Sequence, residues 1–131
     1  MINAIDILTF CGEHGIRYKE ADLEKAIGYI NRMVADNRVI IGEDMIVFFS
    51  MCNEFYPYLV KKTWEYLEHN SNGHIAYIEK AVSSFWSREM RSQIENVIVE
   101  MYPTAVVGKW HRYAKLGDRE VTTFRRNKCL I

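Results

Sequence analysis

The basic residues of this chain are crowded into one stretch near its C-terminal end. Residues 109–128 carry Lys109, Arg112, Lys115, Arg119, Arg125, Arg126 and Lys128 against only Asp118 and Glu120. That stretch has a formal charge of +5 and the rest of the chain −5, although the totals cancel. Trp110, Tyr113 and Phe124 are interleaved with the cations. Cations spaced in this way can track a phosphate backbone. They equally suit an acidic protein surface, including the acidic remainder of a second copy in a symmetric oligomer. An ordinary solvated hairpin also accounts for uneven charge in a small protein.

Other side chains with chemical potential are scattered. Ser83 and Ser84 have no aspartate and histidine at a readable spacing, so no hydrolase triad is expected. His111, between Trp110 and Arg112, could serve as a base or stand as a structural strand histidine. His14, His69 and His74 fall at element ends, where capping or solvation explains them. Cys11, Cys52 and Cys129 are odd in number and far apart, with no CxxC or Cys/His cluster, so no metal is expected. Reduced, buried thiols in a cytoplasmic setting follow. Trp64, Trp86 and Trp110 read as core or interface residues. No apolar run reaches the ~18 residues of a membrane span, and the N-terminus lacks a basic-then-apolar signal pattern.

The elements that position these residues follow from periodicity. At 131 residues and 49% apolar composition the chain is expected to form one domain. Residues 2–14 repeat apolar positions at helical spacing and run into Gly15, with an extended link over 16–18. Leu23, Ala26, Ile27, Ile30 and Val34 define one face of a second helix over 21–35. Residues 38–42 and 45–52 form a hairpin around Glu43-Asp44, and the second run is apolar on both faces. A helix is expected over 55–69, with Pro57 in its first turn, and a loop over 70–73.

Residues 74–82 then read as a strand with Ile75, Tyr77, Glu79 and Ala81 on one parity and Ala76, Ile78, Lys80 and Val82 on the other. Ser83, Ser84 and Ser87 stand where a helix start needs amide acceptors. Met90, Ile94, Val97, Ile98 and Met101 form the face of that helix, and Pro103 stops it. A strand over 104–113 completes a βαβ unit with parallel strands, and 119–124 pairs back across the turn at 115–118. The expected class is α/β, a single-domain mixed sheet flanked by helices in the order α-α-β-β-α-β-α-β-β.

That order, with the runs RVIIGED, MIVFFSMC, GHIAYIEKAVS, SFWSREMRSQIENVIVEMYP and AVVGKWHRY, resembles the GNAT N-acetyltransferase family over residues 21–126. A closing W-x-R…R…F-x-R pattern (Trp110, Arg112, Arg119, Phe124, Arg126) adds to the likeness. The nearest look is to the short, divergent versions encoded by tailed phages, some of them virion components. In this family the fourth strand splays from the fifth, and the pantetheine of acetyl-CoA lies in the opening. The resemblance implies that the cofactor's pyrophosphate would rest on amides over 82–88, with Val82, Ser83, Ser84, Ser87, Arg88 and Arg91 as the cofactor residues. The family motif there is Q/R-x-x-G-x-G/A, whereas this loop contains no glycine. The resemblance further implies Glu79 as the base for an amine substrate and Tyr113 as the acid for the leaving thiolate.

Two function classes stand open on these residues. One is an acyl-CoA-dependent N-acyltransferase. The other is a non-catalytic protein that keeps the fold and binds nucleic acid or a phage protein, in the host cytoplasm or the virion. An unrelated small α/β interaction domain is a third.

Overall fold

The computed structural model describes residues 3–14, 19–54, 64, 69–112 and 119–126, and the backbone alone of 111–112 and 119–120. Helix α1 spans Ala4–Glu13 and α2 spans Leu23–Ala35, preceded by a 3-10 turn at Glu20–Asp22. Strands β1 (Val39–Gly42), β2 (Met45–Cys52) and β3 (Ile75–Ser83) follow, then α3 (Arg88–Met101), β4 (Val107–Arg112) and β5 (Arg119–Arg125). The five strands form one mixed sheet in chain order, β1-β2-β3-β4-β5. Among the described strands only β3 and β4 pair parallel; β1–β2, β2–β3 and β4–β5 are antiparallel. The expected βαβ unit is therefore present. The helix expected over 55–69 lies, apart from Trp64 and His69, outside the described residues.

Local chemistry explains the element ends. The Asn3 side chain accepts the Asp6 amide at 2.9 Å to cap α1, and Ser87 accepts the Met90 amide at 3.2 Å to cap α3. Asn37, at φ 60°, closes α2 in a left-handed turn. The Arg38 amide bonds back to the Met33 carbonyl at 2.9 Å and the Asn37 amide to Val34 at 3.1 Å. This hydrogen-bonded helix stop turns Arg38 inward to begin β1.

The sheet is covered on both faces, which is why all of β2 is buried. On one face Ile7, Leu8 and Cys11 of α1, with Ala26, Tyr29, Ile30 and Met33 of α2, pack over Ile46, Phe48 and Val82. On the other, Ile94 and Ile98 of α3 pack over Val47, Phe49, Met51, Ala76 and Ile78. The α2 face is rotated from expectation: Val34 is exposed, and Tyr29 and Met33 take its place. Strand β3 also departs from simple alternation. Phe49 pairs with Ile78 and Phe48 with Lys80, leaving Glu79 as an extra, unpaired residue. Such a β-bulge turns side chains from one parity to the other. Beyond it Val82 packs under α1 and α2, while Ala81 packs on the α3 side with Ile78.

Gly73 lies where the loop into β3 crosses the end of β2. A Cβ there would stand 2.6 Å from the Cys52 amide nitrogen, which is backbone and cannot yield. Among the described residues no helix is long and apolar enough to cross a membrane.

Candidate functional site

The β3 bulge delivers Glu79 into a buried polar cluster beneath α2. Its side chain is 5% exposed and that of Arg38 is fully buried. Arg38 Nη2 donates to Glu79 Oε2 at 2.9 Å, Ser50 Oγ donates to the same oxygen, and Tyr29 Oη donates to Oε1 at 3.0 Å. Arg38 also donates to Ser50 Oγ, and through Nε to the Phe49 carbonyl at 3.0 Å. Burial raises the Glu79 carboxyl above the ordinary glutamate range, with Ser50, Arg38 and Tyr29 opposing the shift. Burial, and next the Glu79 charge, push the Tyr29 phenol well above its usual value. Lys80 stands beside this cluster with Nζ 4.8 Å from the Trp64 ring centroid, and burial lowers its ammonium. Glu79 thus holds an architectural ion pair, and both its oxygens accept from side chains of the protein itself.

The loop leading into α3 is equally committed. The Ser84 amide donates to Asp44 Oδ2 at 3.2 Å, and the Phe85 amide to Ser83 Oγ at 3.3 Å. Ser87 Oγ is occupied as the helix cap, Val82 is buried in the core, and Arg88 and Arg91 are exposed. His14, Asp44 and Ser84 meet here, a juxtaposition the sequence spacing did not disclose. His14 Nε2 lies 2.9 Å from Ser84 Oγ and 3.3 Å from Asp44 Oδ1, and its Nδ1 lies 2.8 Å from the Phe10 carbonyl. A hydrolase triad needs the carboxylate on the opposite ring nitrogen from the serine. Here both share Nε2, and the carboxylate beside Ser84 Oγ would oppose a developing oxyanion. The cluster is a clasp joining the end of α1, the β1–β2 turn and the β3–α3 loop.

That clasp is pH-dependent through Asp44. Burial acts to raise its carboxyl, but the Ser84 amide, the Ser84 hydroxyl and His14 together lower it below the ordinary range. A carboxylate with a depressed folded-state pKa stabilises above its unfolded pKa and loses that contribution as pH falls through the folded value. The amide-exchange protection of Ser84 is therefore expected to hold at neutral pH and to fall below the ordinary aspartate range. In Asp44→Asn it is expected to be low throughout. Protection that is the same in both proteins at neutral pH would contradict the clasp.

A pocket of about 310 Å³ opens between β3, α3 and the β4–β5 hairpin, lined by Ile78, Ala81, Trp86, Arg91, Ile94 and Trp110 among others. It exists because the β3–β4 ladder stops at Ile78–Trp110 while both strands continue. It lies on the α3 side of the sheet, across the sheet from the buried Glu79 carboxylate. Thr123 also lines it. Phe124 pairs with Gly108 and Thr122 with Lys109, so Thr123 is the extra residue of a second bulge. Its Oγ1 is buried with no hydrogen-bond partner among the described residues.

The basic residues have separate fates. Arg126 donates to the carbonyls of Pro103 and Ala105 at 3.2 and 2.8 Å, tying β5 to the α3–β4 connection. Lys109 is half-buried and Arg125 exposed. Arg112 and Arg119 occupy directly opposite positions in the β4–β5 ladder. Lys115, Lys128 and Tyr113 lie outside the described residues, as does Cys129. Cys11 and Cys52 are free and buried, and burial raises both thiols, Cys52 to about 11. Among the described residues no group of His, Cys, Asp and Glu could hold a metal.

Fold and site together define an α/β protein with an open five-stranded mixed sheet and a pocket at its parallel strand pair. Comparison with protein-family models, curated proteins and solved structures returns no match.

Proposed function

We propose that this is a non-catalytic, nucleic-acid-binding protein of GNAT-like architecture. The observation that carries the reading is the parallel pairing of β3 and β4. Parallel strands finish on the same edge of a sheet, so Phe85, Trp86, Arg88 and Arg91, which follow β3, share that edge with Arg112 and Arg119. Phe85 is 66% exposed and Trp86 39%, and exposed rings among cations are the surface that single strands use. Arg112 and Arg119 are register partners in the β4–β5 ladder, so two basic residues stand at one position of that edge. The committed Glu79 carboxylate and Ser84 amide leave the groups that acyl transfer would use engaged elsewhere.

Fluorescence anisotropy with a labelled oligonucleotide tests this. Binding is expected to weaken steeply between about 50 and 200 mM salt. The Arg112→Ala/Arg119→Ala double variant is expected to reduce the log–log salt slope by roughly 1.4 for a single strand. Absence of binding at the low-salt end, to single strand and duplex alike, would defeat the reading, and binding only to an acidic protein would replace it.

One observation favours acyl transfer as the second reading. The opening between β3 and β4 beyond Ile78–Trp110 is where the GNAT resemblance would seat pantetheine. Excess acetyl-CoA at about a hundred times its Kd would stabilise the protein by roughly 2.7 kcal/mol, a shift of several degrees. Such a shift would favour the acyltransferase; an unchanged midpoint is expected.

A further inference from the structure

We infer that the pocket beside Trp86 receives one unstacked nucleobase of a single strand, with Arg91 against a neighbouring phosphate. This rests on the nucleic-acid reading and adds to it which strand form binds and where. The volume of about 310 Å³ is at the small end of ligand pockets, suited to one compact planar group. Its walls carry two indoles, Trp86 and Trp110, and aliphatic Ile78 and Ile94. Trp86 is more exposed than a core tryptophan and stands immediately before the Ser87 helix cap. Arg91 is the charged residue among the described residues of the lining, so an occupant should carry negative charge next to a flat apolar body. A phosphate-linked base has all of these features.

A base inside a duplex would first have to leave the stack, which costs a few kcal/mol. Single strands are therefore expected to bind more tightly than duplex of the same length and sequence. Trp86→Ala removes the stacking face, and its loss is expected to weaken single-strand binding about 5- to 150-fold. Duplex binding, carried by the cations, should change little. Trp86→Phe keeps an aromatic face and should recover most of the affinity. Trp86 lies at the surface, and an unchanged thermal midpoint will show that both variants fold.

The experiment is an anisotropy titration of the full chain and both variants, at fixed low salt. The probes are an oligothymidylate of about 16 nucleotides and a duplex of equal length. Loss confined to the single strand, rescued by phenylalanine, supports the pocket. Equal single-strand affinity in wild type and Trp86→Ala, with salt-dependent binding intact, overturns the pocket but leaves the electrostatic reading standing. Equal loss on both probes also overturns it. No binding to either probe by the wild type defeats the nucleic-acid reading itself.

Discussion

Arg38→Ala is expected to lower the stability of the fold by about 3–5 kcal/mol. The variant leaves the Glu79 carboxylate buried, still accepting from Ser50 and Tyr29, but without its countercharge. The bond from Arg38 Nε to the Phe49 carbonyl is lost as well, at the strand pair next to the bulge. Domains have only about 5–15 kcal/mol of net stability, so this loss leaves a marginal protein. The thermal midpoint should fall by roughly 10–20 °C. A double variant, Arg38→Met with Glu79→Leu, should recover part of the loss, because it removes the unpaired buried charge while leaving the Ser50 and Tyr29 hydroxyls without their acceptor. Denaturant unfolding of the three proteins measures this directly. A single-variant loss below about 1 kcal/mol, the scale of exposed ion pairs, would mean that the cluster is open to solvent.

Phe49→Ala has the next largest expected effect, about 3–5 kcal/mol. The ring is fully buried on the α3 side of β2, and it meets the edge of Tyr102 at a centroid distance of 5.8 Å. Part of the cost is burial, part the cavity left behind, and the aromatic contact adds about 0.5–1.5 kcal/mol. Phe48, its neighbour in sequence, faces Tyr29 on the opposite side of the sheet. Hydrogen exchange should therefore show Phe49→Ala loosening α3 and the strand edges beneath it more than α2. Equal loosening of α1, α2 and α3 would contradict the division into two cores.

Much of the scaffold was legible because it depends on local periodicity. The doubly apolar run of β2, the helical spacing of Ile94 and Ile98, and Ser87 as a helix-start acceptor are all readable within a few residues. The strand–helix–strand order was enough to expect a parallel β3–β4 pair. What could not be read depends on register. A period of two cannot reveal the bulge at Glu79, which moves Val82 and Ala81 to the faces opposite those expected for them. His14, Asp44 and Ser84 are 30 to 70 positions apart, and only the chain's path over the β1–β2 turn brings them together. Arg38 carried one usable signal. Asp36-Asn37 marks a helix stop, and a basic residue opening an apolar strand between two buried layers must find an acid. Glu79, on a strand two removed from Arg38's own, is that acid.

The proposed binding surface is the sheet edge where β3 and β4 finish. Two-dimensional amide NMR of the full chain, titrated with short oligothymidylate and separately with acetyl-CoA, tests it most directly. The oligonucleotide is expected to shift amides of residues 83–91, 110–112 and 119–123, and to leave α1 and the buried Glu79 cluster unmoved. Acetyl-CoA is expected to shift none of them. Shifts with acetyl-CoA at residues 82–88, and none with the oligonucleotide, would contradict the account and return the protein to the acyltransferases.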